Sequence, residues 1–338
     1  GIRYSSVTGV QTCALPIFAV YAARFDADNP LNGLELGERP EPEAPEGWTT
    51  VTVKAASLNH HDLWTLRGVG IRQEQLPMIL GCDAAGVDAD GNEVIVHSVI
   101  GDPDAGGGDE TLDPRRSLLS ERHQGTFAEQ VIVPRRNLVP KPKELSFEEA
   151  ACLPTAWLTA YRMLFDKAEL QPGATVLVQG AGGGVATALI ALGAAAGYRV
   201  WATSRSEAKR KRALELGAEA VFEPGARLPE RVDAVMETVG QATWSHSLKS
   251  LRPGGRIVVS GATTGQLPPA ELNRVFFLQL SVVGSTMGTR DQLVRLSRFL
   301  VTSGLRPPID RTLPLARARE GFAVMAEGDL FGKIVFTP

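Results

Sequence analysis

Cysteine is scarce in this chain. Only Cys13, Cys82 and Cys152 occur in 338 residues, far apart and with no Cys-x-x-Cys pair. That excludes a disulfide-stapled secreted fold and predicts a reducing, cytoplasmic setting. An excess of one charge is lacking too. Lys and Arg number 35 against 38 Asp and Glu, a net −3, which gives no electrostatic basis for binding nucleic acid or a membrane surface. No run approaches the ~18 uninterrupted apolar residues of a membrane span, and no internal repeat is visible. What remains, 43% hydrophobic and 22% charged, is ordinary for a globular protein, and the length predicts two domains.

The first residues differ from the rest. Residues 1–17 are poor in charge and carry no clean strand or helix period. The apolar stretch from Cys13 to Ala23 is interrupted by Pro16 and preceded by a single basic residue, Arg3, unlike a signal peptide. The segment resembles translated adapter sequence. It is expected to be a foreign or disordered leader, with the protein starting near Phe18.

What is present is a glycine turn in a defined context. Val176-Leu-Val-Gln179 reads as a buried strand, Gly180-Ala-Gly-Gly-Gly184 as a sharp turn, and Val185 onward as a small-residue helix. Tyr198 to Thr203 then reads as a second strand, about 20 residues on. This is the pattern that cradles a dinucleotide pyrophosphate, with backbone approach at Gly180, Gly182, Gly183 and Gly184 and a helix N-terminus at Val185. A further absence selects the cofactor. NAD sites end the second strand in an acid that binds the ribose 2′-OH, but this chain has Thr203-Ser204-Arg205. Ser204 can donate to a 2′-phosphate and Arg205 can pair with it, with Lys209 adding positive field, so NADP(H) is predicted.

Around this unit the chain reads as β-rich over 18–100. A polar, glycine-rich excursion follows at 101–125, then a capping box at Ser146-Phe-Glu-Glu149 and a helix from about Trp157 to Lys167. Strands and helices alternate from 174 to 260, the rhythm of a doubly wound parallel sheet, closed by a strand near Leu280 to Gly284. A tail adds helices at Arg290–Ser303 and 316–327 and a last strand near Gly332–Phe336.

Several further motifs carry a family resemblance: Ala55-Ala-Ser-Leu-Asn-His-His-Asp-Leu63, Leu80-Gly-Cys-Asp-Ala-Ala-Gly86, Gly125-Thr-Phe-Ala-Glu129, Leu153-Pro-Thr-Ala-Trp-Leu-Thr-Ala-Tyr161, Leu251-Arg-Pro-Gly-Gly255 and Gly332-Lys-Ile-Val-Phe336. With the glycine turn, they make residues 18–338 similar to the medium-chain dehydrogenase/reductase superfamily, zinc-type alcohol dehydrogenase-like, and within it to zinc-free quinone oxidoreductases. The resemblance implies an α/β protein with a GroES-like catalytic domain (18–155, returning at 288–338), a Rossmann cofactor domain (156–287), an active site in the cleft between them, and a homodimer.

Zinc members of the family place a Cys, a His and a further Cys where this sequence has Asn59, Cys82 and Thr155. Asn and Thr are poor zinc ligands. The excursion at 101–124, which holds a structural zinc in such members, contains no cysteine. No metal is therefore expected, although a rewired set of His60 or His61 with Cys82 and Asp83 stays open. Without a Lewis acid, reduction of an electrophilic quinone or α,β-unsaturated carbonyl is easier than oxidation of a plain alcohol. Asn59, as a polar contact, and His61, as donor or proton relay, are the catalytic choices. His60 and His61, read as strand neighbours, are expected on opposite faces. Thr159, Thr238, Gly261, Met287 and Lys333 are expected along the cofactor. The alternatives are a zinc-dependent alcohol dehydrogenase and a non-enzymatic NADPH-binding sensor or structural protein.

Overall fold

The computed structural model describes residues 15–338. The expected leader, 1–17, falls mostly outside them. Ile17, its last residue, is buried and opens the strand Ile17–Ala22, paired with Arg39.

The first domain is built on β1 (Trp48–Ser57), where Thr49, Val51, Val53 and Ala55 are buried at alternate positions. It pairs antiparallel with β2 (Asp83–Asp88), with Gln130–Pro134, and with the chain's last strand, Lys333–Thr337. At the end of β1 the chain turns into helix α1 (His60–Leu66), whose N-cap is Asn59. The Asp62 carboxylate accepts from the Asn59 backbone N–H at 2.9 Å, which fixes that turn.

The second domain is a six-stranded parallel sheet. Its strands are β3 (Thr175–Val178), β4 (Arg199–Thr203), β5 (Ala220–Phe222), β6 (Val232–Glu237), β7 (Leu251–Val259) and β8 (Ser281–Gly284), in the order β5-β4-β3-β6-β7-β8. β3 is buried along its whole length. It feeds α2 (Gly184–Ala195), in which Ala186 to Gly193 are all buried, as suits a helix laid on a sheet by small side chains. The fold is thus the expected GroES-like domain plus Rossmann domain.

One expectation shifts. The helix predicted from Trp157 to Lys167 is longer and irregular. π-helical turns at Leu153–Trp157 and Met163–Lys167 flank a short α segment, Leu158–Arg162, and such turns re-aim side chains. The helix Arg290–Ser303 packs Leu293, Leu296 and Leu300 into a core that holds Leu158, Leu164 and Leu189 together with Ala55, Ala85 and Ile95 of the first domain.

The cysteine-free excursion is clamped by charge. Arg162, almost wholly buried, donates to Asp109 at 2.5 Å and to Thr111 at 2.9 Å. Glu110 accepts from the Arg290 backbone N–H at 2.6 Å.

Candidate active site

The glycine turn lies where β3 runs out. Gly180 has φ +86, a conformation that side-chain-bearing residues rarely adopt. Its N–H donates to Thr203 Oγ1 at 3.1 Å, tying β3 to β4. Thr203 in turn donates to Gln179 Oε1, and Gln179 reaches Ser247. Ser247 donates at 2.6 Å to the fully buried Glu237. Glu237 also accepts from the backbone of Val239 and Gly240. This network sets the ends of β3, β4 and β6 at one level. Sequence reasoning missed Gln179 and Glu237, since their partners lie up to 68 residues away.

At Gly184 the first turn of α2 comes down on Lys333, where a Cβ would stand 2.7 Å from Lys333 Cδ. A larger residue there would have to displace the Lys333 side chain and press on Ala156 Cβ at 3.1 Å. Lys209 reaches across Gly182, with Nζ on the Gly328 carbonyl at 2.6 Å. Arg210 is committed to the Ser204 carbonyl at 2.6 Å and Glu223 at 3.6 Å, whereas Arg205, just past β4, is exposed.

Opposite the turn, α1 begins. A cleft of about 250 Å³ is walled on one side by Asn59, His60, His61, Trp64, Thr155 and Thr159, and on the other by Gly183, Gly184, Val185, Thr238, Gly261, Met287 and Lys333. The structure therefore brings both expected catalytic residues and most of the expected cofactor residues to one cavity. Gly180, Gly182, Ser204, Arg205 and Lys209 sit beyond its edge, at and past the turn. Met287 has φ +48, a strained value for a side-chain-bearing residue. Its backbone is held by His97, which donates to the Gly288 carbonyl at 2.9 Å.

His60 and His61 correct the strand reading. They are the first two residues of a helix, and with Trp64 they share the face turned to the cleft. His60 sits in the cleft opening. Enclosure by protein, with the charges of Lys333 and Arg67, holds its pKa below the ordinary value.

Asn59 also differs from expectation. Its amide protons go to the Ser57 carbonyl (3.2 Å) and Asp83 Oδ2 (2.8 Å), and its Oδ1 accepts from Lys333 Nζ at 2.6 Å. No proton is left for an acceptor carbonyl. Asn59 instead anchors a buried lattice. Asp83, wholly buried, accepts from Ser57 (2.9 Å), Asn59 and Thr155 (2.5 Å) and lies 3.6 Å from the Lys333 ammonium.

His61 belongs to a second array. Its Nδ1 faces Cys82 Sγ at 3.2 Å and its Nε2 faces Glu121 Oε1 at 3.1 Å. Burial opposes charge on this ring, but Cys82, Glu121 and Asp62 outweigh it and hold its pKa well above the usual imidazole value. Burial pushes the Cys82 thiol up to about 11, against the pull of His61, and the Asp62 carboxyl to about 6. Glu121 was not foreseen.

A family zinc would have to fit among these groups. At the family's ligand positions, Asn59 and Thr155 are bonded to Asp83, and an ammonium stands 2.6 Å from Asn59 Oδ1. A second cation there would meet that charge directly, so these residues do not fit the metal. Ligand-type atoms of His61, Asp62 and Cys82 also lie within 4.8 Å of one another, with Asp62 in place of the Asp83 considered from sequence. Both Asp62 oxygens accept backbone N–H bonds, from Asn59 and Gly81.

Comparison with known proteins agrees with this architecture. The alcohol dehydrogenase GroES-like domain model matches residues 45–143, and the zinc-binding dehydrogenase model matches 184–302. The acryloyl-coenzyme A reductase of Sulfurisphaera tokodaii is 28% identical, over 91% of this chain and 98% of its own. A crystal structure of an NAD-dependent alcohol dehydrogenase is 35% identical, with a TM-score of 0.87 over 95% of this chain and 99% of its own. A 2-octenoyl-CoA carboxylase reductase, solved with NADP and 2-octenoyl-CoA, is 25% identical, with a TM-score of 0.86 over 95% and 87%.

Proposed function

The chain belongs to the medium-chain dehydrogenase/reductase superfamily and is an oxidoreductase of that type, and within it we propose an NADPH-dependent reductase of α,β-unsaturated carbonyls or quinones that works without catalytic zinc. One observation carries the reading. The helix N-terminus after the glycine turn and the His61 ring face one cleft, while at the family's metal position Asn59 and Asp83 hold the Lys333 ammonium and Thr155 is bonded to Asp83.

NADP(H) is favoured over NAD(H) by Ser204 and the exposed Arg205, and by the NADP carried in the 2-octenoyl-CoA relative. Gly182, Gly183, Gly184 and Val185 would hold its pyrophosphate, with Lys209 alongside. Thr159, Thr238, Gly261 and Met287 would flank its nicotinamide end. Bound there, it supplies the hydride.

The chain's own residues supply the rest. Reduction of an enone puts hydride on the β-carbon and a proton on the α-carbon, with negative charge building on the carbonyl oxygen between the two steps. His61 on the cleft wall, its pKa held up beside Glu121, would stabilise that charge when protonated. Its two ring N–H groups point at Cys82 and Glu121, so proton delivery exchanges one of these partners for the substrate. Trp64, Thr159 and Met287 exclude water from the cleft.

The test is oxidation of NADPH, against NADH, with quinones, an enal and an enone, and alcohol oxidation with NADP⁺, each with and without a zinc chelator. Chelator-insensitive, NADPH-preferring reduction is the expected result. Chelator-sensitive alcohol oxidation would overturn it, and tight NADPH binding without turnover would favour the sensor reading.

Cofactor choice gives a sharper test. Arg205→Asp removes a charge-assisted bond of about 1.5–3 kcal/mol and adds repulsion to a 2′-phosphate. The ratio of NADPH to NADH efficiency is expected to fall by roughly 10- to 100-fold. An unchanged ratio in steady-state kinetics sinks the assignment.

A homodimer is part of the proposal. β8 is an edge strand with Val282 exposed, and Leu272, Phe276 and Phe277 beside it are exposed as well. Such an edge is covered by a second copy. Val282→Lys with Phe277→Asp is expected to give a monomer by light scattering, where the parent gives a dimer.

A further inference from the structure

The hydride cleft is small for what it must hold. A nicotinamide ring takes much of about 250 Å³, and ligand pockets commonly measure about 300–1,000 Å³. A second compartment of about 630 Å³ adjoins it, and Trp64, Ser260, Gly261 and Thr286 line both. The two are therefore neighbours, with Trp64 facing both. Trp64 stands four residues after His60 and three after His61, so α1 turns it to the same side as both imidazoles.

The outer compartment differs in character from the inner. Leu112, Val259 and Ala262 give it apolar walls, and Leu112 is 62% exposed. Its cations are Arg162 and Lys167. Both are answered: Arg162 pairs with Asp109 at 2.5 Å, and Lys167 with Asp166 at 3.4 Å. Among the described residues of this compartment, positive charge is thus balanced by carboxylates, which suits an uncharged hydrocarbon rather than a string of phosphates.

We propose that the outer compartment is the acceptor's tail subsite. The conjugated carbonyl of an uncharged enal or enone enters past Trp64 to His61, and its alkyl tail, of about four to six carbons beyond the conjugated unit, lies on Leu112, Val259 and Ala262. This rests on the reductase reading above and adds the acceptor's class to it: a medium-chain, uncharged α,β-unsaturated carbonyl.

Tail burial is worth up to about 0.8 kcal/mol per methylene, or roughly fourfold in affinity. The test is calorimetric titration of 2-butanone and 2-octanone into the full chain with NADP⁺, which needs no turnover. 2-Octanone is expected to bind at least tenfold more tightly. Leu112→Asp, at an exposed position outside the hydride cleft, is expected to cut that gain below threefold while leaving 2-butanone unchanged. Equal affinities for the two ketones overturn the proposal, as does a gain that survives Leu112→Asp. Turnover of 2-butenal, 2-octenal and 2-octenoyl-CoA is run in parallel. A rate gain from 2-butenal to 2-octenal supports the subsite. At least tenfold preference for the CoA thioester over 2-octenal overturns the uncharged-tail assignment. Failure to reduce any of the three counts against the reductase reading, whereas the ketone series judges the subsite by itself.

Discussion

Replacing His61 by Gln is expected to lower kcat for an enone by about 10²- to 10³-fold, with a much smaller change in KM. The imidazolium is the cleft-wall group whose charge matches the enolate, and removing one such electrostatic contact typically costs that much. Its pH signature follows from the sign of the shift. His61 is held well above its ordinary value, so activity persists through neutrality and is lost as pH rises through the raised pKa. Glu121→Gln keeps the hydrogen-bonding shape but removes the carboxylate 3.1 Å from Nε2. The alkaline limb of the kcat profile is expected to move to lower pH in that variant. The same interactions contribute stability that is fully present below about pH 6.5 and lost as pH rises through the folded-state value. Rates of His61→Gln within twofold of the parent, or an unmoved limb in Glu121→Gln, would remove His61 from the chemistry.

Which parts of this site were legible in the sequence follows from distance along the chain. The glycine turn, its helix and the Ser204-Arg205 substitution are local, so a buried strand, a φ-positive glycine and a small-residue helix announce themselves within about 30 residues. The doubly wound sheet was legible for a similar reason, as its strands are short apolar runs at regular spacing. His60 and His61 read as strand neighbours on opposite faces because apolar residues continue from β1 up to Leu58. The signal was present: Asn59 followed three residues later by Asp62 is an N-cap with its reciprocal acid, and it opens a helix. Glu121 gave no such signal. It lies 60 residues from His61 in a loop whose path depends on Asp109 and Glu110 being gripped by Arg162 and Arg290. The position of Asn59 is legible in the sequence but its role is not, since its partner Lys333 is 274 residues away.

That distant pair yields the largest expected effect on stability. Lys333 is 2% exposed and Asp83 wholly buried. The Lys333 ammonium donates to the Leu58 carbonyl at 2.7 Å and to Asn59 Oδ1, with Asp83 Oδ2 at 3.6 Å. Lys333→Met leaves a buried carboxylate without its counter-charge and two acceptors without a donor. The expected loss is about 3–5 kcal/mol, read from the midpoint of denaturant unfolding. Ser57, Asn59 and Thr155 still donate to Asp83, which argues for the lower half of that range. Adding Asp83→Asn removes the orphaned charge, so the double variant is expected to be more stable than Lys333→Met alone, by about 1–3 kcal/mol. If Lys333→Met costs under 1 kcal/mol, the ammonium is not held against Asp83 in solution. If the second substitution only adds to the loss, the lattice is held by hydrogen bonds and its charges do not need each other. The first result would reopen the metal position to a cation from outside, because the argument against zinc at Asn59 and Thr155 depends on Lys333 already being there.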